Sequence, residues 1–157
     1  MAIEIERKFL VKENPFHLAK KSHRIRQGYI VNDQKQVIRV REKGEDYFLT
    51  IKGNNIGNSR LEFDFPIPKE DAEELLKHFC KTTLIDKTRH YVEHEGHTWE
   101  VDEFHGDNDG LVVAEIELDS EDEQFEIPDW ISEEVTPDDR YYNMNLATHP
   151  FKDWSSK

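Results

Sequence analysis

Residues 3–9, at the start of the chain, carry three charged side chains at alternate positions, Glu4, Glu6 and Lys8. Because successive side chains of a β-strand point to opposite faces, these three would share one face, with apolar residues on the other. Two carboxylates about 7 Å apart along a strand can hold a divalent cation, and a nearby lysine can hold the anion bound to it. The same alternation is also typical of a half-buried strand with a solvated face. The charges on the other strands are therefore needed to choose between a functional site and a solvated surface.

Matching charges recur in later segments, with basic and acidic residues on different segments. The basic residues are Arg24 and Arg26, Arg39 and Arg41, Lys52, and Lys87 and Arg89; the acidic ones are Glu62 and Asp64, Glu100 and Asp102, and Glu115 and Glu117. If these side chains point inward, an anion-binding wall faces a cation-binding wall. Periodicity alone does not decide which face is inside, and the alternative is a barrel with an apolar interior and a charged surface.

The elements that must position these residues are mainly strands. Alternating patterns bounded by turn residues predict eight of them, near 2–12, 22–31, 36–43, 46–53, 59–66, 83–94, 97–105 and 110–119. Short loops make consecutive strands antiparallel, and a closed antiparallel barrel leaves no strand edge unpaired. A helix is predicted from Pro68 to about Cys80, and shorter ones after Ser120, which forms a capping box with Glu123, and after Thr136.

Composition narrows the class of protein. A chain of 157 residues is most simply one domain, residues 1–157, and its 11% aromatic content argues against disorder. A net charge of −13 makes nucleic acid an unexpected partner, because phosphate backbones bind basic surfaces. The single cysteine, Cys80, excludes an internal disulfide. With no signal peptide and no long apolar run, we expect no membrane association and a soluble, cytoplasmic protein.

These charged residues carry a resemblance to the CYTH superfamily, the triphosphate tunnel metalloenzymes. The segment Glu4-Ile5-Glu6-Arg7-Lys8 resembles the family's N-terminal Glu-x-Glu-x-Lys. Further matches follow in family order over residues 1–120 and comprise Arg39-Val40-Arg41, Lys52, Glu62, Lys87-Thr88-Arg89, Asp102 and Glu115-Ile116-Glu117. The chain looks most similar to short bacterial members that act on inorganic tripolyphosphate.

The resemblance implies a mainly β, α+β fold: an eight-stranded closed antiparallel barrel with flanking helices and a C-terminal helix near one tunnel end. It implies that the charged side chains point inward. By similarity, Glu4, Glu6 and Lys8 are catalytic. The substrate-binding residues are Lys8, Arg26, Arg39, Arg41, Lys52, Lys87 and Arg89, and the metal ligands are Glu4, Glu6, Glu62, Asp102, Glu115 and Glu117.

The activity implied is hydrolysis of a triphosphate by a water that Mg²⁺ or Mn²⁺ activates, with no covalent enzyme intermediate. Class IV adenylyl cyclases, thiamine triphosphatases and other organic triphosphatases share the fold and are alternatives. A non-catalytic polyphosphate-binding module is a further alternative, which the paired acidic residues disfavour. A barrel that binds an apolar ligand is another, and it would show no Mg²⁺ dependence. A homodimer is compatible with the apolar outer face.

Other residues are weaker candidates. His90, His94 and His97 lie around a predicted hairpin, and their spacing does not match a zinc motif. Tyr29 is expected to face away from Arg26, so only a bulge would bring it into the tunnel. Tyr142 stands where short bacterial members often have a lysine, which changes the charge expected at the C-terminal end of the tunnel.

Overall fold

The computed structural model describes residues 3–33, 35–54, 56–80 and 83–154. It contains nine strands, of which β9 was not predicted, and residue 2 of the first predicted strand lies outside the described residues. The strands are β1 (Ile3–Val11), β2 (Lys21–Asn32), β3 (Val37–Lys43), β4 (Asp46–Lys52), β5 (Ser59–Pro66), β6 (Ile85–His94), β7 (His97–Phe104), β8 (Val112–Leu118) and β9 (Ile131–Glu134); the α-helices are α1 (Lys69–His78) and α2 (Asn143–Leu146).

The first eight strands form a closed antiparallel barrel, as predicted. Their order is β5-β4-β3-β2-β6-β7-β8-β1, and β1 closes the circuit by pairing with β5 as well as β8. The closing pair places Ile3 opposite Leu61. Strand β9 pairs with β1 at Phe9 and Val11, near the end of β1. It lies along the same edge of β1 as β5, which pairs with the beginning of that strand.

The charged face points into the barrel, and the apolar face points outward. Glu4, Lys8, Lys52 and Glu115 are all buried despite their charge. Outside, Phe9, Trp99 and Ile116 belong to an apolar cluster that the segment around Trp130 covers. Thus the charged rows occupy the interior, where water is limited and electrostatic interactions are strong.

One end of the barrel interior is apolar. Within the inward-facing rows, Ile85 precedes Lys87, Phe104 follows Asp102, and Val113 precedes Glu115. These three apolar residues pack in one cluster with the C-terminal segment, including Leu146 and Trp154. The C-terminal segment therefore forms an apolar floor for the charged interior, in agreement with the predicted helix near one tunnel end.

The helices agree with the prediction only in part. Helix α1 matches the predicted 68–80 segment, and the segment after Thr136 forms a 3-10 turn at Asp139–Tyr141 followed by α2. The helix predicted after Ser120 is wrong, because residues 123–128 have no regular structure. Glu123 does accept a hydrogen bond from the Asp119 amide at 2.6 Å, as a capping residue would. Phe125 nevertheless packs against Phe9 and Trp99, which holds the chain along the barrel wall.

None of the helices in the described part of the chain is long and apolar enough to cross a membrane.

Candidate active site in the barrel

The barrel encloses a cavity of about 240 Å³ whose lining is mostly charged. The basic lining residues are Lys8, Arg39, Arg41, Lys43, Lys52, Arg60, Lys87 and Arg89, and the acidic ones are Glu4, Glu6, Glu62, Glu100, Glu115 and Glu117. Of the predicted site residues, the structure brings all but Arg26 and Asp102 to the cavity surface. Their roles in binding and catalysis remain predictions.

The lining is divided into a basic half and an acidic half. Strands β4, β3, β2 and β6 are neighbours, and β4, β3 and β6 carry the basic set apart from Lys8 and Arg60. Strands β7, β8, β1 and β5 are neighbours and carry the acidic set. Opposite charges pair where the halves meet. At the β4–β5 boundary Lys52 Nζ lies 3.6 Å from Glu62, and at the β6–β7 boundary Arg89 lies 3.3 Å from Glu100.

Asp102 lies behind the cavity surface and anchors two of its cations. Its Oδ1 accepts a hydrogen bond from Arg89 Nε at 2.8 Å, and its Oδ2 accepts from Arg89 Nη2 at 2.9 Å and from Lys87 Nζ at 2.8 Å. The side chain is fully buried. Although burial opposes ionisation, the two cations keep the pKa of Asp102 below its usual value. Asp102 thus acts as a fixed counter-ion, with both oxygens already engaged.

The middle of the basic half has cations with little compensation. Arg39 Nε is buried without a hydrogen-bond partner among the described residues. Burial, together with the charges of Arg39 and Arg89, lowers the pKa of Arg41 to about 10. Unsatisfied donors and crowded positive charges are costly unless an anion occupies the space between them. This region therefore fits a polyanion.

The middle of the acidic half contains carboxylates whose negative charges repel one another. Burial, followed by the charge of Glu115, raises the pKa of Glu6 to about 7, although Lys8 offsets part of the effect. Partial burial and the charges of Glu4, Glu100 and Glu6 raise the pKa of Glu117 to about 7. Carboxylates that repel one another in this way are stabilised by a bound cation.

The carboxylates fit a hard divalent cation such as Mg²⁺ or Mn²⁺. Burial raises the pKa of Glu4, Lys52 offsets part of this effect, and the neighbouring Glu62 carboxyl reinforces it. A bound cation would stabilise the ionised form of this carboxylate pair. All the candidate ligand atoms are carboxylate oxygens, which Mg²⁺ and Mn²⁺ prefer. Within the described ranges, no three such residues already converge on one point. Mg²⁺ in proteins is usually bound by one or two carboxylates together with substrate phosphates.

The prediction for β2 assigned the wrong residues to the inward face of the strand. Arg26 points outward, where its guanidinium lies 3.7 Å from Glu42, and its side chain is 51% exposed. The neighbouring Arg24 likewise forms a bidentate pair with Asp86 outside the barrel. Strict alternation then turns Gln27 and Tyr29 inward. Tyr29 does face away from Arg26, as expected, but it lines the cavity because Arg26 is the residue that points outward.

A sequence signal for this phase does exist at Gly28. A Cβ there would lie 2.7 Å from Leu84 and 2.8 Å from the Cys80 sulfur, so the outer face of β2 must lack a side chain at this position. Since Gly28 faces outward, its neighbours face inward. Arg60, Lys43 and Glu100 were also absent from the predicted set, although all three alternate in phase with residues that were included.

The C-terminal segment contributes polar groups above the apolar floor. The Asn143 side-chain oxygen accepts a hydrogen bond from Lys87 Nζ at 2.8 Å. Lys8 Nζ lies 5.9 Å from the centre of the Tyr142 ring, a cation–π distance. Tyr142 therefore meets a cavity lysine with an aromatic face.

His90 and His97, beside the β6–β7 hairpin, have protein partners. His90 bonds with Ser22 and Glu103, and His97 Nε2 lies 2.6 Å from Glu123. They lie apart from the cavity lining. The described residues contain no cluster of three that could hold a metal here either.

The raised pKa of Glu117 predicts a pH-dependent stability. Because the folded state holds a proton on Glu117 up to about pH 7 and the unfolded chain releases it near pH 4.5, the folded state loses relative stability as pH rises through this window. We expect Glu117→Gln to become progressively more stable than the wild type from about pH 5 to pH 7 in metal-free buffer. Urea midpoints at several pH values measure this difference. A difference that stays constant, or that shrinks with rising pH, would contradict the assignment.

A closed barrel whose interior pairs an anion-binding half with a cation-binding half defines a class of protein that binds polyanions together with metal ions. Residues 2–144 match the CYTH domain, and the chain belongs to this family.

Relatives support the assignment over nearly the whole length. An inorganic triphosphatase of Acetivibrio thermocellus is 46% identical over 98% of this chain and 99% of its own. An inorganic triphosphatase of Nitrosomonas europaea is 36% identical over 92% of this chain and 96% of its own. A solved structure of an inorganic triphosphatase covers 94% of this chain and 95% of its own, with 35% identity and a TM-score of 0.68.

Proposed function

We propose that this protein is a metal-dependent inorganic triphosphatase that hydrolyses tripolyphosphate to pyrophosphate and phosphate. The observation that carries the proposal is the division of one cavity into a basic half and an acidic half. In the basic half Arg41 is held by a neutral amide, and in the acidic half the pKa values of Glu6 and Glu117 are raised. The 46% identity to a triphosphatase over nearly the full length supports the choice of substrate. The cytoplasmic location and the homodimer stay predictions.

The basic half would bind the substrate. Arg39 and Arg41 suit charge-assisted contacts with phosphate oxygens because their charges are not neutralised by a close, bidentate carboxylate. Lys87 and Arg89 are held at the adjacent position by Asp102. These fixed cations would orient the terminal phosphoryl group for in-line attack without reorganising during the reaction.

The acidic half would hold the metal and position water. Glu4, Glu6, Glu62, Glu115 and Glu117 are the candidate ligands, and Asp102 is better placed as the counter-ion of Lys87 and Arg89. When bound, Mg²⁺ or Mn²⁺ neutralises phosphate charge and polarises the phosphoryl oxygens. The carboxylates of Glu4 and Glu6 can accept hydrogen bonds from the attacking water. The water oxygen bonds to the terminal phosphorus while the bridging P–O bond breaks and pyrophosphate leaves with the electron pair. The proton that the water loses would pass to the Glu4 or Glu6 carboxylate and from there to solvent.

Phosphate release from tripolyphosphate, ATP and thiamine triphosphate tests the proposal. We expect rapid release from tripolyphosphate with Mg²⁺ or Mn²⁺, at least about tenfold slower release from the organic substrates, and none with EDTA. Cyclic AMP is assayed in parallel. Conversion of ATP to cyclic AMP while tripolyphosphate stays intact would identify a cyclase, and tight tripolyphosphate binding without turnover would identify a binding module.

A further inference from the structure

Gln27 is a fully buried polar residue beneath the basic half of the cavity. Its side chain is 0% exposed, and it does not line the cavity. In the β2–β3 register Gln27 lies directly opposite Arg41, and Tyr29 lies opposite Arg39. A buried amide has to use its hydrogen-bonding groups, so its partners indicate what it does.

Both ends of the Gln27 amide are engaged with residues that line the cavity. Arg41 Nε donates to Gln27 Oε1 at 2.8 Å, and Gln27 Nε2 donates to the Tyr29 hydroxyl at 2.8 Å. A guanidinium has five N–H donors in a fixed planar fork. The hydrogen bond from Arg41 Nε to Gln27 uses one of these N–H groups and fixes the plane of the guanidinium. The four terminal N–H groups of Arg41 are left to face the cavity.

The chemistry of this partner distinguishes Arg41 from the cavity cations that form close ion pairs with carboxylates. Arg89 is neutralised by Asp102, Lys8 by Glu115, and Lys52 by Glu4. Within the described part of the chain, no carboxylate forms an ion pair with Arg41. A neutral amide therefore holds the guanidinium in place without cancelling its charge.

We propose that Gln27 is a positioning residue that fixes the Arg41 guanidinium for bidentate contact with a phosphate group of the substrate while leaving its charge uncompensated. This inference rests on the proposed function, because it takes a triphosphate as the ligand. It explains why a glutamine rather than a glutamate occupies this position. A glutamate could accept the same hydrogen bond, but it would neutralise the cation.

Two substitutions separate geometry from charge. Gln27→Met keeps the size but removes the acceptor, and Gln27→Glu keeps the acceptor but adds a negative charge. We expect each to raise the dissociation constant of tripolyphosphate about tenfold, equivalent to about 1.4 kcal/mol, and to raise KM by a similar factor. The exposed Gln36→Glu adds the same charge outside the site and is expected to change neither value by more than about twofold.

A double-mutant cycle with Arg41→Met tests whether Gln27 acts through Arg41. In the Arg41→Met background, Gln27→Met is expected to change the dissociation constant less than about twofold. Binding is measured by calorimetry in EDTA, so that no turnover occurs, and the melting temperature of each variant confirms folding. Only variants that keep a folded barrel are compared. Gln27→Met and Gln27→Glu are different substitutions, so the test is still possible if one of them fails to fold.

Three results would overturn the proposal: unchanged affinity in folded Gln27 variants, an equal loss when Arg41 is absent, or a similar loss in Gln36→Glu. The failure of the proposed function would look different. In that case the wild-type protein would itself neither bind nor hydrolyse tripolyphosphate, whereas failure of this inference leaves the wild-type activity intact.

Discussion

Replacing Glu6 by glutamine is expected to lower kcat for tripolyphosphate by at least about a hundredfold while changing the dissociation constant less than about threefold. Glutamine keeps the size of the side chain and an oxygen that can accept from Lys8 Nζ, which lies 3.2 Å from Glu6 Oε1. It removes the charge that would hold a metal ion and orient water. The cations that would bind phosphate remain in place, so binding and turnover separate.

This variant also has a distinctive stability. Because Glu115 repels the Glu6 carboxylate and helps raise its pKa to about 7, the neutral amide is not expected to destabilise the protein. Loss of activity with an unchanged or higher urea midpoint, measured at about pH 8.5, would exclude unfolding as its cause. Glu133→Gln on the exposed face of β9 is the matched control. Near-normal rates of Glu6→Gln in saturating Mg²⁺ would show that the N-terminal strand has been assigned the wrong role.

Replacing Asp102 by asparagine is expected to lower the free energy of unfolding by about 3–5 kcal/mol. The carboxylate is fully buried and receives three hydrogen bonds from Lys87 and Arg89. Asparagine leaves two buried cations without their counter-ion. Urea denaturation measures the loss, and tripolyphosphate is expected to restore part of it because the anion supplies the missing negative charge.

Asp107→Asn is the control, because Asp107 pairs with Lys152 at the surface, where both side chains are about half exposed, 42% and 56%. Its cost is expected to stay below about 1 kcal/mol. The result also distinguishes two roles of Asp102. A stable Asp102→Asn variant that needs much more Mg²⁺ for activity would identify a metal ligand, as the family resemblance implies, instead of a counter-ion.

The rows on β1, β3 and β6 were predictable because charge and apolar character alternate there without interruption. The direction of these rows was not predictable from periodicity, since either face of a strand can point inward. The family resemblance supplied it, and the burial of Lys87 and Arg39 in the structure agrees with it. The barrel followed from the number of strands and the short loops between them.

The errors have local causes. On β2 the arginines that resemble site residues form surface pairs with Asp86 and Glu42, which a sequence cannot distinguish from inward-facing charges. Strand β9 is only four residues long, too short for a clear alternation. The capping pattern at Ser120 did not lead to a helix: residues 123–128 have no regular structure, and Phe125 packs against Trp99.

The apolar floor of the barrel has a consequence for the order of events in each catalytic cycle. Ile85, Phe104 and Val113 pack with the C-terminal segment, so the floor cannot admit or release a charged molecule without exposing apolar side chains. Substrate and products must then share the opposite mouth. Whichever product lies nearer that mouth has to depart before the deeper one, so release is sequential. The deeper product leaves last and can rebind the empty site, which makes it the natural competitor of the next substrate.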